Sequence, residues 1–176
     1  MTYHGTTILG IVRDNTAVIA GDGQVTLGET IIKGNSQKVR YLADDSVLAG
    51  FAGAAADALS LLSRFEEKLS ERNDLLRAAV ELAKDWRTDK FLRRLEAELI
   101  VLNKTKALLI TGAGDVLEPE DGIIAIGSGA GYAISAARTM LEFDKNLPLK
   151  EIAENAMKIA AKICIYTNDN ITTLEL

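Results

Sequence analysis

The chain has 176 residues, of which 48% are hydrophobic and 26% charged, and its formal net charge is −5. This composition predicts one soluble globular domain, and no apolar run approaches the ~20 residues of a membrane-spanning helix. No basic cluster points to nucleic acid, no secretory signal is evident, and the single cysteine, Cys164, fits a reducing compartment, so we expect a cytoplasmic protein.

The first half of the chain is predicted to form strands followed by a pair of helices. Apolar, β-branched runs between turn residues predict strands at Thr6–Arg13, Thr16–Ala20, Thr30–Lys33, Lys38–Leu42 and Ser46–Phe51. The first two form a hairpin through Asp14-Asn15. Apolar residues then recur at helical spacing, at Ala58, Leu61, Leu62, Phe65 and Leu69 and again at Leu76, Ala79, Val80, Ala83 and Trp86. They predict two amphipathic helices joined near Asn73, with Asp74 capping the second.

The second half repeats this order of elements. Further strands are predicted at Glu98–Leu102, Ala107–Thr111, Val116–Glu118 and Ile123–Ile126, followed by helices at Tyr132–Phe143 and Leu149–Ile163 and a last strand at Ile171–Leu174. Hairpins indicate antiparallel sheets, and paired helices indicate layers that lie on them.

These elements predict an α+β fold, specifically a four-layer αββα sandwich with two packed antiparallel sheets inside and helix pairs outside. No linker rich in Pro, Gly or Ser divides the chain. Residues 6–176 are therefore expected to form a single domain, and residues 1–5 a removable N-terminal tail.

The glycine-rich segment Gly127–Gly131 lies between a predicted strand and a predicted helix, as a dinucleotide-binding loop would. It lacks the full G-x-G-x-x-G spacing, and no βαβ unit surrounds it. The G-x-x-x-x-G-K-[ST] motif is also absent, so the chain is not expected to bind ATP itself. The glycines are better explained by a close approach of Ser128 and nearby backbone to another strand or to a site.

Thr6 follows the short polar segment Met1–Gly5 and begins the first predicted strand at once. If the chain is cut after Gly5, Thr6 carries both a hydroxyl group and a free α-amine, which together supply a nucleophile and its general base. The alternative is that Thr6 and Thr7 merely open a β-strand, as β-branched residues often do.

The histidine content favours the first of these interpretations. The only histidine is His4, inside the tail. A Ser-His-Asp triad, a Cys-His pair or a zinc site would have to recruit it from the least ordered part of the chain. A hydrolase built from this sequence therefore needs an amine or a carboxylate as its base.

An N-terminal threonine also needs positive charge nearby to lower the cost of forming its alkoxide. Asp22 ends the strand that pairs with the Thr6 strand, and Lys33 and Lys38 stand on the next extended segments. A carboxylate at Asp22 could orient either lysine. A simple turn at Asp22 and solvated strand ends at the lysines explain the same pattern equally well.

Several blocks of the sequence carry uncommon combinations of residues, namely Thr6–Ile8, Gly21–Gly28, Lys38–Arg40, Leu48–Gly53, Ala78–Arg87, Ala125–Gly129 and Ile163–Asn168. Together they resemble the HslV-type peptidases, bacterial relatives of proteasome β-subunits, and the resemblance covers nearly everything from Thr6 onward. It implies an N-terminal-nucleophile hydrolase that cleaves unfolded protein chains inside two stacked hexameric rings. It also implies a partner, a hexameric AAA+ ATPase of the HslU type, which uses ATP to feed those chains in.

The same resemblance implies roles for individual residues. Thr6 is the nucleophile and its α-amine the base, Lys38 lowers the pKa of the nucleophile, and Asp22 orients that lysine. Ser128 supports the amine and a catalytic water, and the backbone N–H of Gly53 receives the oxyanion. A sodium ion is implied at a further site, bound by the backbone carbonyls of Ala161, Cys164 and Thr167.

Some alternatives stay open at this stage. Thr2 would become a rival N-terminal threonine after removal of Met1, although the Asp22 and Lys38 spacings fit Thr6. The tail could leave by self-cleavage or through another enzyme. The chain could also be a non-catalytic ring subunit that keeps its tail, or a stand-alone amidase with the same nucleophile.

Overall fold

The computed structural model describes residues 3–53, 55–90, 92 and 97–176. Thr2, the alternative N-terminal threonine, lies outside the described residues. In the first half, strands precede a helix pair: β1 (Tyr3–His4), β2 (Thr7–Arg13), β3 (Thr16–Gly21), β4 (Val25–Leu27), β5 (Thr30–Lys33), β6 (Val39–Leu42), β7 (Val47–Gly53), α1 (Ala55–Arg72) and α2 (Leu75–Thr88).

The second half has the same general order. Its elements are β8 (Ala97–Leu102), β9 (Ala107–Thr111), β10 (Val116–Leu117), β11 (Ile123–Gly127), α3 (Ala130–Phe143), α4 (Leu149–Ile163) and β12 (Thr172–Glu175). The Asp74 side chain accepts a hydrogen bond from the Arg77 N–H and caps α2, as its position in the sequence predicts.

The described strands form three antiparallel sheets. One has the order β10-β9-β8-β7-β6, the second β11-β2-β3-β12, and a small third sheet β1-β4-β5. Strand β2 pairs with β3 from Ile8↔Gly21 to Arg13↔Thr16, which is the predicted first hairpin.

The two larger sheets pack face to face, and each carries a helix pair on its other face. Alternation along β2 illustrates this: Ile8 packs between the sheets, whereas its neighbour Leu9 packs under α3 and α4. Phe65 of α1 and Trp86 of α2 are buried on the opposite outer face, against β8 and β9. The predicted α+β, four-layer αββα sandwich is therefore confirmed.

The sandwich brings the end of β3 beside the start of β6, although these strands belong to different sheets. Gly21 ends β3, and a Cβ atom on it would stand 2.9 Å from Ile8 Cδ1 and 3.0 Å from Val39 Cγ1. Because Asp22 follows β3 and Lys38 precedes β6, this close approach places the two charged residues side by side.

The third sheet includes the N-terminal tail, which the sequence pattern did not predict as a strand. Tyr3 pairs with Leu27 and His4 with Thr26. Strands of two or three residues carry too short an alternation to be recognised before their partner is known. The chain then bends at Gly5, whose φ is 116°, and β2 consequently begins at Thr7 rather than at the predicted Thr6.

No helix in the described residues is long and apolar enough to cross a membrane.

Candidate active site

Asp22 and Lys38 form a buried ion pair. Lys38 Nζ lies 2.8 Å from Asp22 Oδ1, and the two side chains are 3% and 0% exposed. Burial lowers the pKa of the Lys38 ammonium, and the Asp22 carboxylate opposes part of this shift. Of the two lysines that the strand pattern left open, Lys38 is thus the one that meets Asp22, whereas Lys33 is exposed on β5.

The Lys38 ammonium has three acceptors for its three N–H groups. Besides Asp22, it donates to the carbonyl oxygens of Gly5 at 2.6 Å and Gln24 at 2.5 Å. An ammonium group has three donors and no acceptor, so its hydrogen-bonding capacity is fully used. These contacts direct the positive charge at the Gly5–Thr6 peptide bond.

Thr6 is half-buried at this same peptide bond. Its hydroxyl group donates to the Gly5 carbonyl oxygen at 2.7 Å, the oxygen that Lys38 also contacts. The Thr6 carbonyl accepts from the Ser128 N–H at 2.9 Å. A side chain at Gly127 would collide with that carbonyl, and Gly127 has a φ of 87°, so glycine is required there.

Two further predicted residues are Ser128, which contacts Thr6, and Gly53, which lies at the end of β7. Ser128 reaches Thr6 through its backbone N–H, and its side chain is exposed. Gly53 ends β7, is exposed and has a φ of 123°. The roles of the Ser128 hydroxyl and the Gly53 N–H stay predictions.

The predicted cation ligands lie at the C-terminal end of α4. Ala161 is in its last turn, Cys164 is its C-cap, and Thr167 follows and is buried. The Cys164 carbonyl already accepts from the Thr167 N–H at 3.1 Å. Backbone carbonyls at a helix C-terminus suit a hard cation in charge and ligand type. Among the described side chains, no cluster of three His, Cys, Asp or Glu offers a second kind of metal site.

Three buried or half-buried polar residues at the site had no assigned role in the sequence interpretation. The Thr7 N–H donates to Asp22 Oδ1 at 2.8 Å, and its hydroxyl lies 2.7 Å from that of Thr167. Gln24 donates to the Ile165 carbonyl, and Asn168 accepts from the Gly23 N–H. The only sequence signal for these three residues was that they lie inside the blocks that resemble the peptidase family. That signal did not indicate which groups they would hydrogen-bond.

The ion pair predicts a specific pattern of stabilities. Replacing Lys38 by methionine should lower the free energy of unfolding by about 3–5 kcal/mol, because Asp22 stays buried without its counter-charge. The double variant Lys38→Met/Asp22→Asn should recover much of this loss, since neither buried charge remains. Denaturant unfolding, followed by the fluorescence of Trp86, the single tryptophan, measures the free energy of unfolding of the double variant and of each single variant, Lys38→Met and Asp22→Asn. If the loss in the double variant equals the sum of the losses in the two single variants, the pairing is contradicted.

Comparison with known proteins gives consistent results over nearly the whole chain. The sequence matches the family described as "Proteasome subunit" over residues 2–176. It is 58% identical to the ATP-dependent protease subunit HslV of Wolbachia sp. subsp. Brugia malayi (strain TRS), with 96% of each chain covered.

Solved structures agree with the sequence comparison. A eukaryotic HslV from Trypanosoma brucei superimposes with a TM-score of 0.91 at 47% identity, covering 97% of this chain and 98% of that chain. Thiobacillus denitrificans BPH, at 17% identity, shares the fold with a TM-score of 0.77 over 97% of each chain. The chain therefore belongs to the proteasome subunit family, and within it to the HslV-type proteins.

Proposed function

We propose that the chain is the threonine peptidase subunit of an ATP-dependent protease, with Thr6 as nucleophile once residues 1–5 have been removed. One observation carries this proposal: the buried Asp22–Lys38 pair is directed at the Gly5–Thr6 peptide bond, where the Thr6 hydroxyl also lies. The 58% identity to a protein named as an ATP-dependent protease subunit supports it.

In the mature chain, the free α-amine of Thr6 takes the proton of the Thr6 hydroxyl, whose oxygen attacks the carbonyl carbon of the substrate peptide. The ammonium group of Lys38, oriented by Asp22, stabilises the negative charge on the attacking oxygen. The Gly53 N–H receives the charge that forms on the substrate carbonyl oxygen.

Breakdown of this intermediate returns the proton to the leaving amine and leaves an ester on Thr6. A water molecule, supported by Ser128 and deprotonated by the α-amine, hydrolyses the ester and frees Thr6 for another cycle. No histidine is needed at any step, in keeping with a chain whose sole histidine is His4.

Release of the tail follows the same chemistry within the chain. The Thr6 hydroxyl oxygen attacks the Gly5 carbonyl carbon, the C–N bond breaks, and the nitrogen takes up the hydroxyl proton. Water then cleaves the resulting ester and releases residues 1–5. The 2.6 Å contact between Lys38 Nζ and the Gly5 oxygen supports this self-cleavage, because the ammonium group stabilises charge that develops on that oxygen.

The name of the Wolbachia relative, an ATP-dependent protease subunit, supports assembly with an ATPase partner. We propose two stacked hexameric rings of this chain, a cytoplasmic location, and an HslU-type AAA+ ATPase hexamer that feeds in unfolded proteins. Large apolar side chains on α3, at the end of α4 and just after it are exposed in the single chain, namely Phe143 (82%), Ile163 (55%) and Ile165 (79%). Exposed apolar surface of this kind is typical of protein–protein contacts.

Replacing Thr6 by alanine tests the nucleophile and the tail together. We expect Thr6→Ala to assemble normally, to keep its tail, and to lose peptide hydrolysis by at least about 10³-fold, because both the hydroxyl and the released amine are missing. Intact mass, native mass and hydrolysis of a fluorogenic peptide measure the three properties. Thr6→Ser is the matched control and should retain activity.

Normal turnover by Thr6→Ala, or a mature wild-type chain that begins at Thr2, would remove Thr6 from the mechanism. Full activity of a monomer without an HslU-type partner would instead favour the stand-alone amidase. An assembled wild-type complex that keeps residues 1–5 would favour the non-catalytic ring subunit.

Gly5 provides a second prediction, on the rate of tail release. A Cβ atom at Gly5 would stand 3.0 Å from Thr26 Oγ1 and 3.1 Å from the Gln24 carbonyl oxygen, and the φ of 116° is strained for alanine. Gly5→Ala should therefore slow the loss of residues 1–5 several-fold, which a time course of intact mass follows. Activity per mature chain should match wild type, because Gly5 is absent from the mature protein.

Gly28→Ala is the matched control for Gly5→Ala, because Gly28 also has a positive φ, 59°, but nothing within 4 Å of the position of its Cβ. It should mature at the wild-type rate. Wild-type maturation of Gly5→Ala would show that the geometry around Gly5 does not govern release.

We further propose that the carbonyls of Ala161, Cys164 and Thr167 bind sodium. At constant ionic strength, replacing sodium by tetramethylammonium, which is too large to take its place among backbone carbonyl ligands, should remove about 1–3 kcal/mol of unfolding free energy. Thermal unfolding in the two salts measures the difference. Equal midpoints in both salts would contradict a sodium site.

A further inference from the structure

Asp22 and Lys38 lie on two separate segments that must be held together for the ion pair to form. Asp22 begins the turn 22–24 after β3, and Lys38 ends the segment 34–38 between β5 and β6. The Ser36 N–H donates to the Gly23 carbonyl at 2.9 Å. A side chain at Gly23 would collide with the backbone of residues 34 and 35. The two segments are therefore in direct backbone contact.

The side-chain amide of Asn168 connects these two segments. Its Oδ1 accepts from the Gly23 N–H at 3.0 Å, beside Asp22, and its Nδ2 donates to the Gly34 carbonyl at 2.8 Å. Its own backbone N–H points at Asp22 Oδ2 at 3.4 Å. One amide group thus contacts the segment of the carboxylate and the segment of the lysine at the same time.

The loop that carries Asn168 is itself fixed to the site. The Thr167 hydroxyl lies 2.7 Å from that of Thr7, and the Gln24 side chain donates to the Ile165 carbonyl at 2.8 Å. These hydrogen bonds hold the backbone on the N-terminal side of Asn168 in place, so its side chain starts from a fixed position.

We propose that Asn168 is a positioning residue that sets the separation between Asp22 and Lys38, and so places the lysine charge at Thr6. This inference rests on the proposed function, because it assigns the lysine its role in catalysis. Only a group with a donor and an acceptor pointing in different directions can bridge an N–H and a carbonyl, and the asparagine amide is such a group.

Loss of the bridge, meaning the two hydrogen bonds from the Asn168 side chain to Gly23 and Gly34, should change the protonation of Lys38. The pKa of Lys38 is lowered by burial, and Asp22 is the charged side chain that opposes this shift. The other groups that contact Lys38 are the carbonyl of Gly5, which leaves with the tail, and the carbonyl of Gln24, and neither titrates. If Asp22 moves away, Lys38 loses its proton at lower pH, and the alkaline limb of the activity profile should move in the same direction.

The freed α-amine of Thr6 is a further titratable group at the site, beside Lys38 and the Asp22 carboxylate. As a base it must be uncharged, so it governs the acid limb of the profile, where activity rises with pH. The alkaline limb, where Lys38 loses its charge, is therefore the limb that reports on the bridge. A residue that merely stabilises the fold would lower activity at every pH and leave both limbs in place.

The experiment compares Asn168→Ala with Asn170→Ala in the full-length chain. Asn170 is the matched control because its side-chain amide also donates to the Gly34 carbonyl, at 2.9 Å, but has no hydrogen bond to the Asp22 segment among the described residues. Its backbone N–H, which donates to Asn168 Oδ1 at 3.3 Å, is kept in Asn170→Ala. Peptide hydrolysis is measured across pH and divided by the fraction of chains that begin at Thr6, as determined by intact mass.

We expect Asn168→Ala to lower kcat by about tenfold or more with KM changed by less than about twofold, and to move the alkaline limb to lower pH by about half a unit. Asn170→Ala should keep the wild-type kcat and profile. Thermal unfolding and native mass confirm that both variants fold and assemble.

An unchanged alkaline limb in Asn168→Ala, whatever its kcat, overturns the positioning role, and so does an equal effect of Asn170→Ala. If Asn168→Ala does not assemble, Asn168→Leu replaces it, because leucine has a similar shape and neither a donor nor an acceptor, with the same expected shift and the same contradicting results. Failure of the proposed function is recognised separately, because it would appear as full activity of Thr6→Ala, a variant in which Asn168 is intact.

Discussion

The site depends on one buried positive charge, the ammonium group of Lys38. Transfer of a charge out of water costs several kcal/mol unless hydrogen-bonding partners replace the lost hydration. Here the partners are the Asp22 carboxylate and the carbonyls of Gly5 and Gln24. They come from both sides of the turn after β3 and from the end of the tail, so these segments must keep fixed distances from one another.

Close contacts between backbones, rather than large side chains, provide those distances. Gly21 allows the end of β3 to lie against Val39 at the start of β6, and Gly23 allows the following turn to touch the segment before Lys38. A methyl group at Gly23 would overlap the Gly34 carbonyl oxygen, and one at Gly21 would crowd Val39, so in each case the two segments would have to move apart. The glycines that first resemble ordinary turn residues are therefore part of what brings Asp22 to the lysine.

Much of the fold could be predicted from the sequence, because each long element carries its own periodic signal. The bounds of α4, Leu149–Ile163, agree with the prediction at both ends. The pattern did not distinguish Lys33 from Lys38, since both stand next to extended segments, and the family resemblance made that choice. Gln24 and Asn168 gave no usable signal, because their partners are backbone groups or residues far away in sequence, and polar residues beside turns ordinarily face water.

The proposed removal of the tail changes the hydrogen bonding of Lys38 at the moment when Thr6 acquires its free amine. In the uncleaved chain all three N–H groups of Lys38 are used, one of them by the Gly5 carbonyl. Cleavage removes that acceptor and leaves Asp22 and Gln24 in place. A buried donor without a partner is costly, so the freed N–H favours the nearby Thr6 oxygen, and favours it most when that oxygen carries negative charge. In the proposed mechanism, the lysine that stabilises charge on Gly5 before cleavage is thereby released, by cleavage itself, to stabilise charge on the nucleophile.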